Sequence, residues 1–144
     1  PIWISSNWVQ RGLRRVAELG DAWITNVTTP EIFTKCWDRI AEHAVTAGRD
    51  PKSITRCLYI SVNLNSEEES LREGDAFMQA YYGRPYEAVS KQLLCVFGPP
   101  EKCAEAINKY KAVGADYFIV RFASPNPMAQ MATFTNEVLP LVGA

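Results

Sequence analysis

PIWISSNWVQRGLRRVAELGDAWITN, Pro1 to Asn26, decides the fold class. PIWIS is a short apolar run, and Val9, Leu13, Val16 and Gly20 then recur at helical spacing. DAWITN supplies a second apolar run directly afterwards, so the stretch reads strand, helix, strand. Outward from it, Thr28, Thr29, Pro30 and Glu31 open a helix with a Thr28-to-Glu31 capping box and a proline in the first turn. Phe33, Cys36, Trp37, Ile40, Ala41 and Ala44 form its buried stripe, Gly48 ends it, and RDPKSI is a polar turn. RCLYISVN, Arg56 to Asn63, is nearly continuous in apolar and β-favouring residues, which suits a parallel strand covered on both faces. Ser66 and Glu69 form a second capping box for a helix carrying Leu71, Met78 and Tyr81 and closing at Gly83. Between Arg84 and Phe97, PYEAVSKQLL reads as a helical turn or two leading into CVFG. GPPEKCAEAINKYKAVGAD restores the helical pattern, with Cys103, Ile107 and Tyr110 on one face. YFIVRFA is the fourth strand, and Met128, Met131, Phe134 and Val138 mark the last helix.

Four rounds of strand and helix predict an α/β fold with a parallel sheet. The expected strand order is PIWIS, DAWITN, LYISVN, YFIVRF, each neighbour linked by a right-handed helical crossover. Neither the glycine-rich dinucleotide fingerprint nor a phosphate-binding P-loop follows any strand. The 144 residues predict one domain over 1–144, large enough for a core without staples. A hydrophobic fraction of 47% with a net charge of −1 excludes disorder, and scattered basic residues argue against a nucleic-acid footprint. No apolar run approaches the roughly 18–20 residues of a membrane span, and PIWISSNWVQRG does not read as a signal peptide, so the expected location is cytoplasmic. Cys36, Cys57, Cys95 and Cys103 are irregularly spaced and His43 has no partner at i+4. Free thiols in a reducing compartment are expected, and no metal site.

Several blocks together resemble the bacterial-luciferase-like monooxygenases, flavin- or deazaflavin-dependent (β/α)8 barrels. PIWISSN with GLRRVAELGDAWIT is similar to that family's strand, phosphate loop, helix and "GDGW" strand. TPEIFTKCWDRIAEHAVTAGRDP resembles its long helix and "GRDP" turn, LYISVNL its next strand, and FGPPEKCAEAINKYKAVGADYFIVRF its "G-x-P-E" helix and last barrel strand. The chain departs from the pattern at Ser5 and Ser6, where glycines are usual, and at Ala22 in GDAW. Such a barrel runs to about 250 residues, so four strand-helix units correspond to its C-terminal half. The resemblance implies a flavin mononucleotide (FMN) or deazaflavin cofactor, with its phosphate in the loop of Ser5, Ser6 and Asn7. It also implies that the missing four strands hold most active-site histidines and the walls of the substrate pocket.

The residues themselves support a ligand at the strand ends. Ser5, Ser6 and Asn7 lie between a strand and a helix start, where hydroxyls, an amide and free N–H groups can meet an anion, or where they can simply cap the helix. Thr25 and Asn26, Asn63 and Asn65, and Arg121 with Ser124 stand at the other strand ends. Arg121, inside an apolar strand, needs a partner: a cofactor phosphate, a carboxylate, carbonyl groups, or an internal salt bridge to a neighbouring strand. Trp3, Trp23, Tyr59 and Phe118 have positions expected of core. No catalytic residue stands out. The leading expectation is part of a flavin- or deazaflavin-dependent oxidoreductase or monooxygenase that acts on a small molecule. The alternative is a non-catalytic flavin-binding or assembly fragment, and a third is a remnant of a longer enzyme, since the chain begins directly on a strand at Pro1. Half a barrel leaves two apolar edge strands and an open inner face around Trp3, Ile24 and Tyr59, so a homodimer or the missing N-terminal half is expected to cover them.

Overall fold

A computed structural model of the protein describes residues 1–143. Strands and helices alternate as β1 (Trp3–Ser5), α1 (Gln10–Leu19), β2 (Ala22–Thr25), α2 (Pro30–Thr46), β3 (Thr55–Leu64), α3 (Glu67–Tyr82), α4 (Tyr86–Val89), β4 (Cys95–Gly98), α5 (Pro100–Ala112), β5 (Tyr117–Phe122) and α6 (Pro127–Thr133). Two compact units result. The first is Pro1–Tyr59 with Tyr110–Ile119, and the other described residues form the second.

In the first unit β1 pairs with β2 and β2 with the start of β3, all parallel, with Ile4 opposite Trp23 and Ile24 opposite Cys57. The Asp116 N–H donates to the Arg56 carbonyl, where β5 joins β3. The core draws on Leu13 and Val16 of α1, Phe33 and Ile40 of α2 and Trp23 of β2, all fully buried. The Trp23 ring lies 4.8 Å from Phe33, and Tyr110 of α5 meets Phe33 edge-on at 5.8 Å. Val9, expected in the α1 stripe, is exposed and serves as the N-cap instead. The cap of α2 is Thr29 rather than Thr28, its hydroxyl accepting from the Ile32 N–H at 3.3 Å. Pro30 explains the shift. A residue before proline is driven out of the helical region, and extended backbone is what an N-cap requires. Arg56 ties β3 to Asp116 through two guanidinium hydrogen bonds of 3.0 Å and lies over the Trp37 ring.

In the second unit β3 continues to Leu64 and pairs parallel with β4, Val62 opposite Val96 and Asn63 opposite Phe97. The expected neighbours all pair, β1 with β2, β2 with β3 and β3 with β5, while β4 is a further strand. Four residues carry too short a pattern to separate a strand from a loop, yet Val96 and Phe97 are buried. The capping of α3 by Ser66 and its left-handed close at Gly83 agree with the sequence. Its buried side agrees at Met78 alone. Leu71 and Tyr81 are exposed, and Ser70, Gly74 and Met78 face inward. The cause is Phe97, whose ring lies on Gly74 so closely that a Cβ there would stand 2.2 Å from it. Small residues therefore carry the contact. In α6, Met128 and Met131 are likewise exposed, and the buried side chain is Gln130, whose amide accepts from the Leu64 N–H (2.6 Å) and donates to the Leu64 carbonyl (3.2 Å). Beyond α6, Phe134 packs edge-on against Phe122, and Val138 is buried as expected.

The four thiols are free. Burial pushes Cys57 and Cys95 up to about 11 and Cys103 up to about 12. An unfolded thiol ionises near about 8.5. The unfolded chain therefore releases protons first as pH rises, and the stability these thiols contribute below that point is lost through the window up to 11–12. Urea-unfolding midpoints are expected to hold steady to about pH 8 and then fall, and to fall less in Cys103→Ala; a fall of equal steepness in that variant would exclude Cys103 as a cause.

Candidate functional site

The loop after β1 is stitched to the end of β2. The Ser6 N–H donates to the Ile24 carbonyl at 3.0 Å, and the Ser6 carbonyl accepts from the Trp23 indole N–H at 2.7 Å. Asn7 Oδ1 accepts from the Thr25 hydroxyl (2.9 Å) and the Asn26 N–H (3.3 Å). The structure thus brings Asn7, Thr25 and Asn26 together. Neither serine nor Asn7 caps α1, because Val9 is the N-cap and no side chain bonds there. The first intrahelical bonds begin with the Gly12 N–H, and no acidic residue sits in the first turn. Gly12 lets the loop lie on that turn: a Cβ at 12 would stand 2.1 Å from the Ser6 hydroxyl. Serine hydroxyls, early helix N–H groups and Arg11, with no carboxylate in the turn, make a donor set that fits a phosphate.

In the second unit the residues at the strand ends gather on a side chain that the sequence did not single out. Glu73 of α3 accepts at Oε2 from Asn63 Nδ2 (3.0 Å), the Ser124 hydroxyl (3.1 Å) and Asn65 Nδ2 (3.5 Å). Asn63 is fully buried, and its amide also donates to the Ala123 carbonyl at 2.8 Å. The signal that could have found Glu73 is its place next to Gly74 and three residues after Ser70, on the small-residue side of α3. Arg121 donates to the hydroxyls of Tyr82 (2.9 Å) and Tyr81 (3.1 Å), and its guanidinium lies 4.2 Å from the Tyr81 ring centre. Two tyrosine hydroxyls are thus among the partners of Arg121, for which a phosphate, a carboxylate, carbonyl groups or an internal salt bridge were expected.

Trp23 is core, and Tyr59 and Phe118 are half-buried. Trp3 is not core. It is 39% exposed and meets the 59% exposed Tyr117 edge-on, with Ile119 also exposed. The reason is that β1 pairs only with β2 among the described strands, which leaves it at an edge of the sheet. His43 lies half-buried on α2. Among the described residues no group of three or more His, Cys, Asp and Glu could hold a metal ion, and no helix is long and apolar enough to cross a membrane.

The family model of the luciferase-like monooxygenases matches residues 1–117, and the chain belongs to that family. No curated protein matches. An F420-dependent secondary alcohol dehydrogenase, solved with an F420-acetone adduct, superposes with a TM-score of 0.77 at 18% identity, over 100% of this chain and 49% of its own. The coenzyme F420-dependent tetrahydromethanopterin reductase of Methanopyrus kandleri gives 0.69 at 16%, over 99% and 51%. A long-chain alkane monooxygenase gives 0.71 at 16%, over 96% and 40%. The fold is that of a partial (β/α) barrel, and the chain spans about half the length of the solved chains it matches.

Proposed function

We propose that this chain is the part of a flavin- or deazaflavin-dependent oxidoreductase or monooxygenase that holds the cofactor phosphate, at Ser5, Ser6, Asn7 and the first turn of α1. The uncapped start of α1 carries the reading, with the Ser6 hydroxyl lying against its first turn. When bound, FMN or the deazaflavin supplies the redox chemistry, and the protein supplies position and exclusion of water. Ser5 and Ser6 donate hydroxyl hydrogen bonds to the phosphate. Asn7 and Trp23 hold the loop in place, and Arg11 adds positive charge. Titration of the chain with FMN and with F420, followed by flavin fluorescence, is expected to show binding of one of them. Ser5→Ala with Ser6→Ala is expected to weaken it by about tenfold or more, since hydrogen bonds to a charged group are worth roughly 1.5–3 kcal/mol. Unchanged affinity in a folded variant, or no binding by the parent chain, overturns the assignment.

A flavin-binding or assembly fragment without its own activity is the second reading. What favours it is that the ends of β1 and β2 carry only serine, threonine and asparagine, with no acid or base. Under either reading the exposed Trp3, Tyr117 and Ile119 belong in an interface, with a second copy of the chain or with the missing N-terminal half of the barrel. Light scattering at micromolar concentration is expected to give more than one chain's mass. A stable mass of a single chain overturns the interface.

A further inference from the structure

A cleft of about 350 Å³ opens between α3 and the turn that follows β5, at the low end of the range for small-molecule sites. One side is polar, with Glu73 and Ser124; the other is apolar, with Ala76, Phe77, Ala80 and Pro125. Most of the polar capacity is already committed. The Ser124 hydroxyl donates to Glu73 and accepts from the Asn126 N–H at 3.2 Å. The Asn63 amide is divided between Glu73 and the Ala123 carbonyl. These groups fix one oxygen of the carboxylate, Oε2, while Oε1 accepts no hydrogen bond from the described residues. A fixed carboxylate with one oxygen open takes a donor and rejects an anion. Arg72 on the rim is paired with Glu69, so it offers no anion site, and its positive charge disfavours a second cation beside it.

We propose that this cleft binds a neutral aliphatic alcohol, its hydroxyl donating to Glu73 Oε1 and its hydrocarbon lying on Ala76, Phe77, Ala80 and Pro125. The residues that line the cleft all belong to the second unit, and binding to it needs no flavin. It is tested on the full chain without cofactor, by following amide chemical shifts during titration with cyclohexanol, cyclohexanone and cyclohexylamine. Cyclohexanol is expected to bind in the millimolar range and to shift the amides of Ser124 and Ala76. Cyclohexanone, with the same ring and no donor, should bind about tenfold more weakly, the loss of one hydrogen bond to a charged group. Glu73→Gln should weaken cyclohexanol by a similar factor. Ala80→Leu, at an exposed helix position where folding is not at stake, should abolish binding by filling the cleft. Equal affinity for alcohol and ketone overturns the role of Glu73, as does an unchanged Glu73→Gln. Tighter binding of the amine overturns the neutral ligand, and undiminished binding in Ala80→Leu, or no binding by the parent chain, overturns the site.

Discussion

Trp23→Ala is expected to destabilise the protein by about 3–5 kcal/mol, the range for removing a fully buried large aromatic side chain. The indole is wholly buried, 4.8 Å from Phe33 and 6.5 Å from Trp37, so alanine leaves a cavity between β2 and α2. It also removes the N–H that satisfies the Ser6 carbonyl. Trp23→Phe separates the two effects. It retains most of the burial and loses the hydrogen bond, with an expected cost of about 1–3 kcal/mol. Urea unfolding measures both, and a loss below about 1 kcal/mol for Trp23→Ala would mean that the site collapses around the deletion. Because the lost bond anchors the loop of Ser5, Ser6 and Asn7, Trp23→Phe should weaken flavin binding although the indole need not touch the cofactor.

The second large effect is expected at Asn63, where alanine should cost about 2–4 kcal/mol. Its amide is the buried donor shared by the Ala123 carbonyl and Glu73, so its loss leaves an acceptor on each side without its partner. Asn63→Asp should be worse at neutral pH, because a carboxylate would then face both a carbonyl and another carboxylate. That penalty should shrink as the pH falls, since a protonated aspartic acid can donate again. Unfolding midpoints for Asn63→Asp at pH 5 and pH 8 that differ from the parent by the same amount would exclude this account.

The elements legible in the sequence are those whose periodic apolar residues meet a neighbour on one side. The α5 face of Cys103, Ile107 and Tyr110 is buried as expected, and the neighbours of β1, β2, β3 and β5 follow from the order of the apolar runs. Where the reading failed, small or polar residues carry the contact. On α3, Gly74 admits the Phe97 ring, and Leu71 and Tyr81 are left exposed while Met78 is buried. In α6 a glutamine is buried while two methionines are exposed. The stitching of Asn7 to Thr25 and Asn26 was foreshadowed by polar residues at successive strand ends. Glu73 was not, because Asn63 and Ser124 meet it across separations of 10 and 51 residues and no motif links them. The tyrosine partners of Arg121 lie about 40 residues away on α3, where sequence spacing carries no information about them.

The glutamine of α6 also bears on what sequence this fold can tolerate. Gln130 supplies an acceptor to the Leu64 N–H and a donor to its carbonyl, the pair of bonds that an adjacent strand would otherwise make. Glutamate has the reach but lacks the donor. Asparagine has both groups but is one methylene shorter, and methionine, the residue at positions 128 and 131, has neither. In a library of random variants position 130 would therefore admit very few alternatives, while Met128 and Met131 beside it would drift freely. Along these few residues, hydrophobicity and sequence constraint run in opposite directions.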